Sequence, residues 1–149
     1  MGDAAVRPGV PDSLADRLDG IVHEPTQVRE ADADLTLDAV YRVRDPGRVD
    51  FGGGELAPPD LEPVPTTLRN PDDDYEWWHL DAGTYLVTYN EDLTGDDPVR
   101  LQVREELRAC GVSHPTLRTA DLGRMPLHVP TGGVRLKENA RITTVTLVD

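Results

Sequence analysis

The sequence predicts an all-β domain, a sandwich or jelly-roll-like β-barrel, with one short helix near its start. Three observations lead there. Short stretches of alternating apolar and polar residues recur from residue 35 onward, each bounded by Gly, Pro, Asn or Asp. No helical period runs long enough to carry a crossover between parallel strands. The 149 residues suit one domain, long enough to bury a real core.

Residues 1–13 are expected to form a flexible N-terminus and 14–149 a single domain. In PDSLADRLDG, Asp12 or Ser13 can cap a helix, Leu14 and Leu18 share a face, and Gly20 can end it. LTLDAVYRV places Leu35, Leu37, Ala39, Tyr41 and Val43 on one face of a half-buried strand. Residues 52–75, rich in Gly, Pro and Asp, read as a long excursion, extended and partly mobile. WWHL, TYLVTY, VRLQV, PLHV, VRL and RITTVTLV supply further strands. Trp77 and Trp78 point to opposite sides of theirs, one into the core and one toward a contact surface. VREELRACG reads as a short helix, with Glu105 and Glu106 suiting the dipole of its first turn, Arg108 later, and Gly111 at its end.

Lys and Arg total 15 against 28 Asp and Glu, a net charge of −13, and Lys137 is the only lysine. With no basic excess to release counterions, nucleic acid is not an expected partner. Acids dispersed from Asp3 to Asp149 fit a surface hydrated at high salt, where screening relieves self-repulsion; a surface meant for a cationic partner is the other reading. Cys110 is the single cysteine, which excludes an internal disulfide and a cysteine-built zinc site. The start MGDAAVRPGV has no apolar signal, and no run approaches the roughly 18 apolar residues of a membrane span. A cytoplasmic location is expected.

Read in order, several stretches resemble the dCTP deaminase and dUTPase superfamily, especially its archaeal members. QVREADADLTL is similar to the family's Gln-x-Gln-Pro-x-x-x-Asp-Leu strand, with Gln27, Asp34 and Leu35 in register. WHLDAGTYLVTYNEDL resembles its tryptophan, Leu-x-Pro-Gly and following strand, with Gly83 at the glycine. VREELRACG stands where the family has Arg-Ser-Ser-Leu-x-Arg-x-Gly, TADLGR where it has Thr-Ala-x-x-Asp-Pro-Gly, and ARITTV where it has Ala-Arg-Ile-Ala-Gln. The resemblance implies a jelly-roll-type β-barrel, a homotrimer with nucleotide sites between subunits, and a pyrimidine deoxynucleotide ligand. For hydrolysis it also implies magnesium on the phosphates.

Carried over by position, Arg104, Gly111 and Arg141 fall on nucleotide-binding positions, and Arg108 can join them if the helix begins a residue earlier. Asp121 could activate water near a uracil pocket, and Asp34 is a second carboxylate. Asp121 also reads as a turn aspartate bonding its own backbone. The departures are as telling. Glu105 and Glu106 replace both phosphate-binding serines, Ala109 the second arginine, Leu122 the proline, and Arg124 an aromatic residue. Met125 replaces the deaminase glutamate and Thr144 a glutamine. A carboxylate facing a phosphate about 4 Å away repels it by about 4 kcal/mol at an effective dielectric near 20, and methionine carries no proton.

Other constellations carry less. Asp72 to Asp74 with His79 lack the glycine and closing glutamate of a calcium loop and read as a solvated loop, so no metal site is expected. Cys110 and His114 could pair as nucleophile and base, but no oxyanion site lies beside them in sequence, and His114 before Pro115 reads as a loop residue. Two functions remain open: a dCTP deaminase or dUTPase-like protein with a strongly degenerate nucleotide site, or a non-catalytic trimeric homologue that binds, scaffolds or regulates.

Overall fold

The computed structural model describes residues 14–148; the cap positions Asp12 and Ser13 lie outside them. The helix α1 covers Leu14–Arg17 and gives way at once to strand β1 (Leu18–Asp19), with Leu14 and Leu18 both buried. A second short helix, α2 (Glu24–Gln27), follows, then β2 (Asp32–Asp45), β3 (Asp60–Pro63), β4 (Trp77–Leu80), β5 (Gly83–Tyr89) and β6 (Asp92–Leu93). After β7 (Val99–Val103) come α3 (Glu105–Ala109), β8 (Leu117–Thr119), β9 (Met125–Val129), β10 (Val134–Lys137) and β11 (Arg141–Leu147). Every strand expected from alternation is present.

The principal sheet is antiparallel throughout, in the order β8-β7-β11-β2-β5-β9, with β3 added on β2, and it curls into a half-barrel. Strand β2 holds it together by changing partners along its length. Its start pairs with β11, its middle with β5 and its end with β3. A bulge between Leu37 and Ala39 makes the change possible and corrects the simple alternation read from the sequence. Leu35 and Leu37 are buried, but the inward face then passes to Val40, leaving Tyr41 half-buried and Val43 exposed.

The core is one cluster. Leu35, Val87, Leu101, Leu127, Ile142 and Val145 of the sheet pack with Trp78, Leu80 and Leu136 from the separate β4–β10 ribbon. Trp78 is buried and donates Nε1–H to the Val64 carbonyl at 3.1 Å. Its neighbour Trp77 faces away, with the Arg69 guanidinium 4.6 Å and the Lys137 ammonium 5.6 Å from its ring centroids. Part of the excursion is paired. Residues 60–63 are strand β3, and paired backbone bonds join Arg48 to Ala57, so the first part of the excursion is the far end of a β2–β3 hairpin.

His114 lies in a loop, as expected, but it is buried. Its Nδ1 lies 2.8 Å from the Pro115 carbonyl, which can only accept, so Nδ1 carries the proton and Nε2 accepts from the Thr143 hydroxyl at 2.8 Å. Thr143 in turn accepts from Tyr89 at 2.6 Å, and burial pushes the Tyr89 phenol up out of its usual range. This chain needs a neutral imidazole. Burial lowers the His114 pKa, so the unfolded chain binds the proton more readily and acid favours unfolding. The stability His114 contributes is present above its unfolded value near 6.5 and is lost as pH falls through the lower folded value. Thermal melting followed from pH 7.5 to pH 5 should fall, and His114→Gln should flatten that part of the profile.

The turn between β9 and β10 depends on a glycine. Gly133 has φ +74°, and a Cβ there would sit 2.6 Å from the Leu80 carbonyl oxygen. Gly133→Ala therefore strains the turn and pushes on the ribbon that closes the core, and should cost about 2 kcal/mol in denaturant melts.

Candidate functional site

The sequence-predicted carboxylate Asp34 is the centre of a charged cluster. It sits in β2 opposite Thr144 of β11, and Thr144 is opposite Gln102 of β7, so three adjacent strands present these side chains to one face. Asp34 is nevertheless fully buried, because arginines cover it. Arg29 binds it with both terminal nitrogens, at 2.8 and 3.0 Å. Arg141 donates Nη1–H at 3.1 Å, Arg104 places Nε at 3.4 Å, and the Thr144 hydroxyl donates at 3.3 Å. Burial alone would raise the Asp34 pKa, but the Arg29 bonds and the charges of Arg104 and Arg141 outweigh it and hold the carboxyl below its usual range. The same pairing raises Arg29.

The arginines have further partners. Arg29 also bonds Asp32, and Arg104 donates from Nη2 to Glu106 at 2.9 Å. The five-residue helix α3 begins directly after Arg104, as the local reading of VREELRACG expected, and Gly111 at φ +82° turns the chain out of it. Glu105 is exposed, and Leu107 anchors the helix in the core. Glu106 thus turns back onto the arginine that the resemblance assigns to phosphate.

A second buried layer lies beneath. Gln27 donates from Nε2 to the Asp34 carbonyl at 3.0 Å and to Glu91 at 2.7 Å, while its Oε1 accepts from the Val22 and His23 amides. Glu91 is buried and accepts from the backbone N–H of Thr36 at 2.8 Å and from its hydroxyl at 2.6 Å. The sequence reading missed Arg29 and Glu91. Arg29 sits in a polar stretch where nothing marks it, and Glu91 follows TYLVTY among turn formers that suggest only a loop.

The structure brings together Asp34, Arg104, Arg141 and Thr144 of the residues singled out, with Glu106 through Arg104. It leaves others apart. Arg108 and Ala109 are exposed on α3, and Arg108 makes no ion pair among the described residues. Asp121 is exposed in a turn closed by the Thr119 hydroxyl, which accepts from the Asp121 backbone N–H at 3.1 Å and donates to its carbonyl at 2.8 Å, so the expected bond from the aspartate side chain to its own backbone is not what holds the turn. Met125 is 2% exposed in β9 and belongs to the core. Leu122, Gly123 and Arg124 border a hollow with Tyr89 and Glu91, and Arg124 stacks on Tyr41 at 5.9 Å. Cys110 is exposed while both ring nitrogens of His114 are engaged, so those two form no nucleophile pair.

Among the described residues no three His, Cys, Asp or Glu side chains converge as a metal site, and the buried Asp34 has its oxygens committed to arginines and Thr144. The donor set therefore does not fit a protein-built magnesium cage.

Comparison with known proteins places this geometry. No protein-family model matches the chain. A "probable deoxyuridine 5'-triphosphate nucleotidohydrolase" of Methanosarcina acetivorans is 35% identical over 137 residues, covering 84% of this chain and 74% of that protein. Proteins of the same name are 33% identical in Methanosarcina mazei and 31% identical in Archaeoglobus fulgidus, the latter over 130 residues, 83% of this chain and 73% of the relative. Among solved structures, 2'-deoxycytidine 5'-triphosphate deaminase from Agrobacterium tumefaciens shares the fold with a TM-score of 0.55 at 13% identity. That match covers 89% of this chain and 43% of the deaminase, so the chain spans less than half of that protein. With a curled antiparallel sheet, the motif order of its strands and these relatives in agreement, the chain belongs to the dCTP deaminase and dUTPase superfamily.

Proposed function

We propose that this protein is a non-catalytic member of the superfamily, a homotrimer of pyrimidine deoxynucleotide metabolism that acts by binding and assembly. It works in the cytoplasm of a salt-adapted cell, a setting supported by its net charge of −13 and single lysine. One observation carries the reading: Arg104, the phosphate arginine retained by position, is already held between Asp34 and Glu106 of its own chain. An incoming triphosphate would have to displace Glu106 and pass Glu105 before meeting a free guanidinium. Deamination has no proton carrier at the family's position, because Met125 is in the core.

Hydrolysis of dUTP is the second reading. It is favoured by the relatives' names and by the hollow that Tyr89, Glu91 and Arg124 border, beside the turn that carries Asp121. Magnesium would then arrive with the nucleotide's phosphates, and Glu91 would keep its structural bonds to Thr36 and Gln27.

A product-resolved assay separates the two. With dCTP and dUTP offered separately in molar KCl with magnesium, the purified protein should yield neither deaminated base nor pyrophosphate above blank. Turnover would overturn the proposal, and its loss in Asp121→Asn would establish the second reading. Replacing Glu105 and Glu106 by serine, which removes the repulsion and frees Arg104, should strengthen dUTP binding at least about tenfold by calorimetry.

A further inference from the structure

The β4–β10 ribbon closes the core with one face and leaves the other outward. Direct register pairs set Lys137 opposite Trp77 and Arg135 opposite His79, while Trp78, Leu80 and Leu136 turn inward and are buried. The outer face therefore carries the chain's only lysine, an arginine and a histidine, all exposed. Residues ahead of β4 extend this face. Thr67 exchanges backbone bonds of 2.9 and 2.7 Å with Trp77, and the Arg69 guanidinium lies over the Trp77 ring at 4.6 Å.

Beside these side chains lies an open hollow of about 500 Å³, bordered by Leu68, Arg69, Asn70, His79 and Arg135. Acids outnumber bases 28 to 15 in the chain, yet none of these five residues is an acid, and every polar side chain among them can donate a hydrogen bond. Arg69 and Arg135 make no ion pair among the described residues. Carboxylates nearby in sequence are engaged elsewhere. Asp73 accepts from the Asn70 backbone N–H at 3.0 Å, Glu76 from the Thr66 hydroxyl, and Glu138 from the Glu76 backbone N–H at 3.4 Å. Asp81 borders the adjoining hollow, and Asp72 and Asp74 border neither. Two guanidinium groups, an imidazole and a carboxamide form a donor set suited to phosphoryl oxygens: each arginine can supply paired, charge-assisted N–H bonds, and stacking on Trp77 orients one of them in advance. We propose that this hollow binds the phosphate chain of an oligophosphate, either inorganic or carried by a phosphorylated metabolite. None of its residues belongs to the Asp34 cluster, so the site is separate from the position that Glu106 fills.

Calorimetric titration with inorganic tripolyphosphate and, separately, with ATP tests it, in the lowest KCl at which circular dichroism shows each protein folded. Three proteins are compared: the wild type, Arg69→Gln with Arg135→Gln, and Arg44→Gln with Arg48→Gln, which removes the same charge from the β2–β3 hairpin. The wild type should bind tripolyphosphate, the ribbon variant should bind it at least about tenfold more weakly, and the hairpin variant should match the wild type. ATP bound no more tightly than tripolyphosphate supports an inorganic ligand. Tighter ATP binding that the ribbon variant also loses supports a phosphorylated metabolite. No binding by the wild type, full binding by the ribbon variant, or an equal loss in the hairpin variant overturns the proposal.

Discussion

The fully buried Asp34 carboxylate is the constraint around which the rest of the structure is arranged. An unpaired carboxylate in that position would cost several kcal/mol, so Arg29, Arg104 and Arg141 have to converge on it from three separate parts of the chain. Arg29 precedes β2, Arg104 directly follows β7 and Arg141 begins β11, and these are the three strands that lie side by side. The ion cluster therefore fixes their register on the outer face, while Ala33, Leu101 and Val145 do so on the inner one. Removing one partner would leave the others as uncompensated charge.

The same constraint shapes the chemistry. Arginines bound to a buried carboxylate have fewer donors left for a ligand, and Arg104 gives another to Glu106. A site built on serine hydroxyls and amide groups would remain open to anions. One with glutamates in the first turn of α3 fills itself from its own chain. Glu105 and Glu106 stand in the first turn of α3, where negative charge suits the helix dipole.

How much of this was legible in the sequence depends on the range of each signal. Alternation and turn residues located the strands, since both act over a few neighbours. The bulge at Leu37 to Ala39 was not visible, because it sits where β2 passes from one partner to another and no local residue signal marks that point. Nor was His114, whose burial depends on Thr143 and Tyr89 from distant strands. Asp34, Arg104 and Arg141 were found through family position, whereas Arg29 and Glu91 have no local signature and acquire roles only when β2 brings Thr36 and Asp34 beside them. In the Gly- and Pro-rich excursion those residues make the turns of a paired arm, a pairing that composition alone does not reveal.

Acidity and arginine placement together explain how one chain can carry −13 and still fold around cations. Most acids are spread over the surface, where salt screens them. Arg29, Arg104 and Arg141 make ion pairs at one buried carboxylate, while Arg42, Arg69 and Arg124 stack on aromatic rings. Screening weakens exposed pairs far more than buried ones, so high ionic strength would relieve the surface repulsion and leave the Asp34 cluster intact. Only the Asp34 carboxylate at the centre of the cluster is fully buried; Arg29 and Arg141 are 45% and 35% exposed, so screening acts on the rim of the cluster more than on its centre.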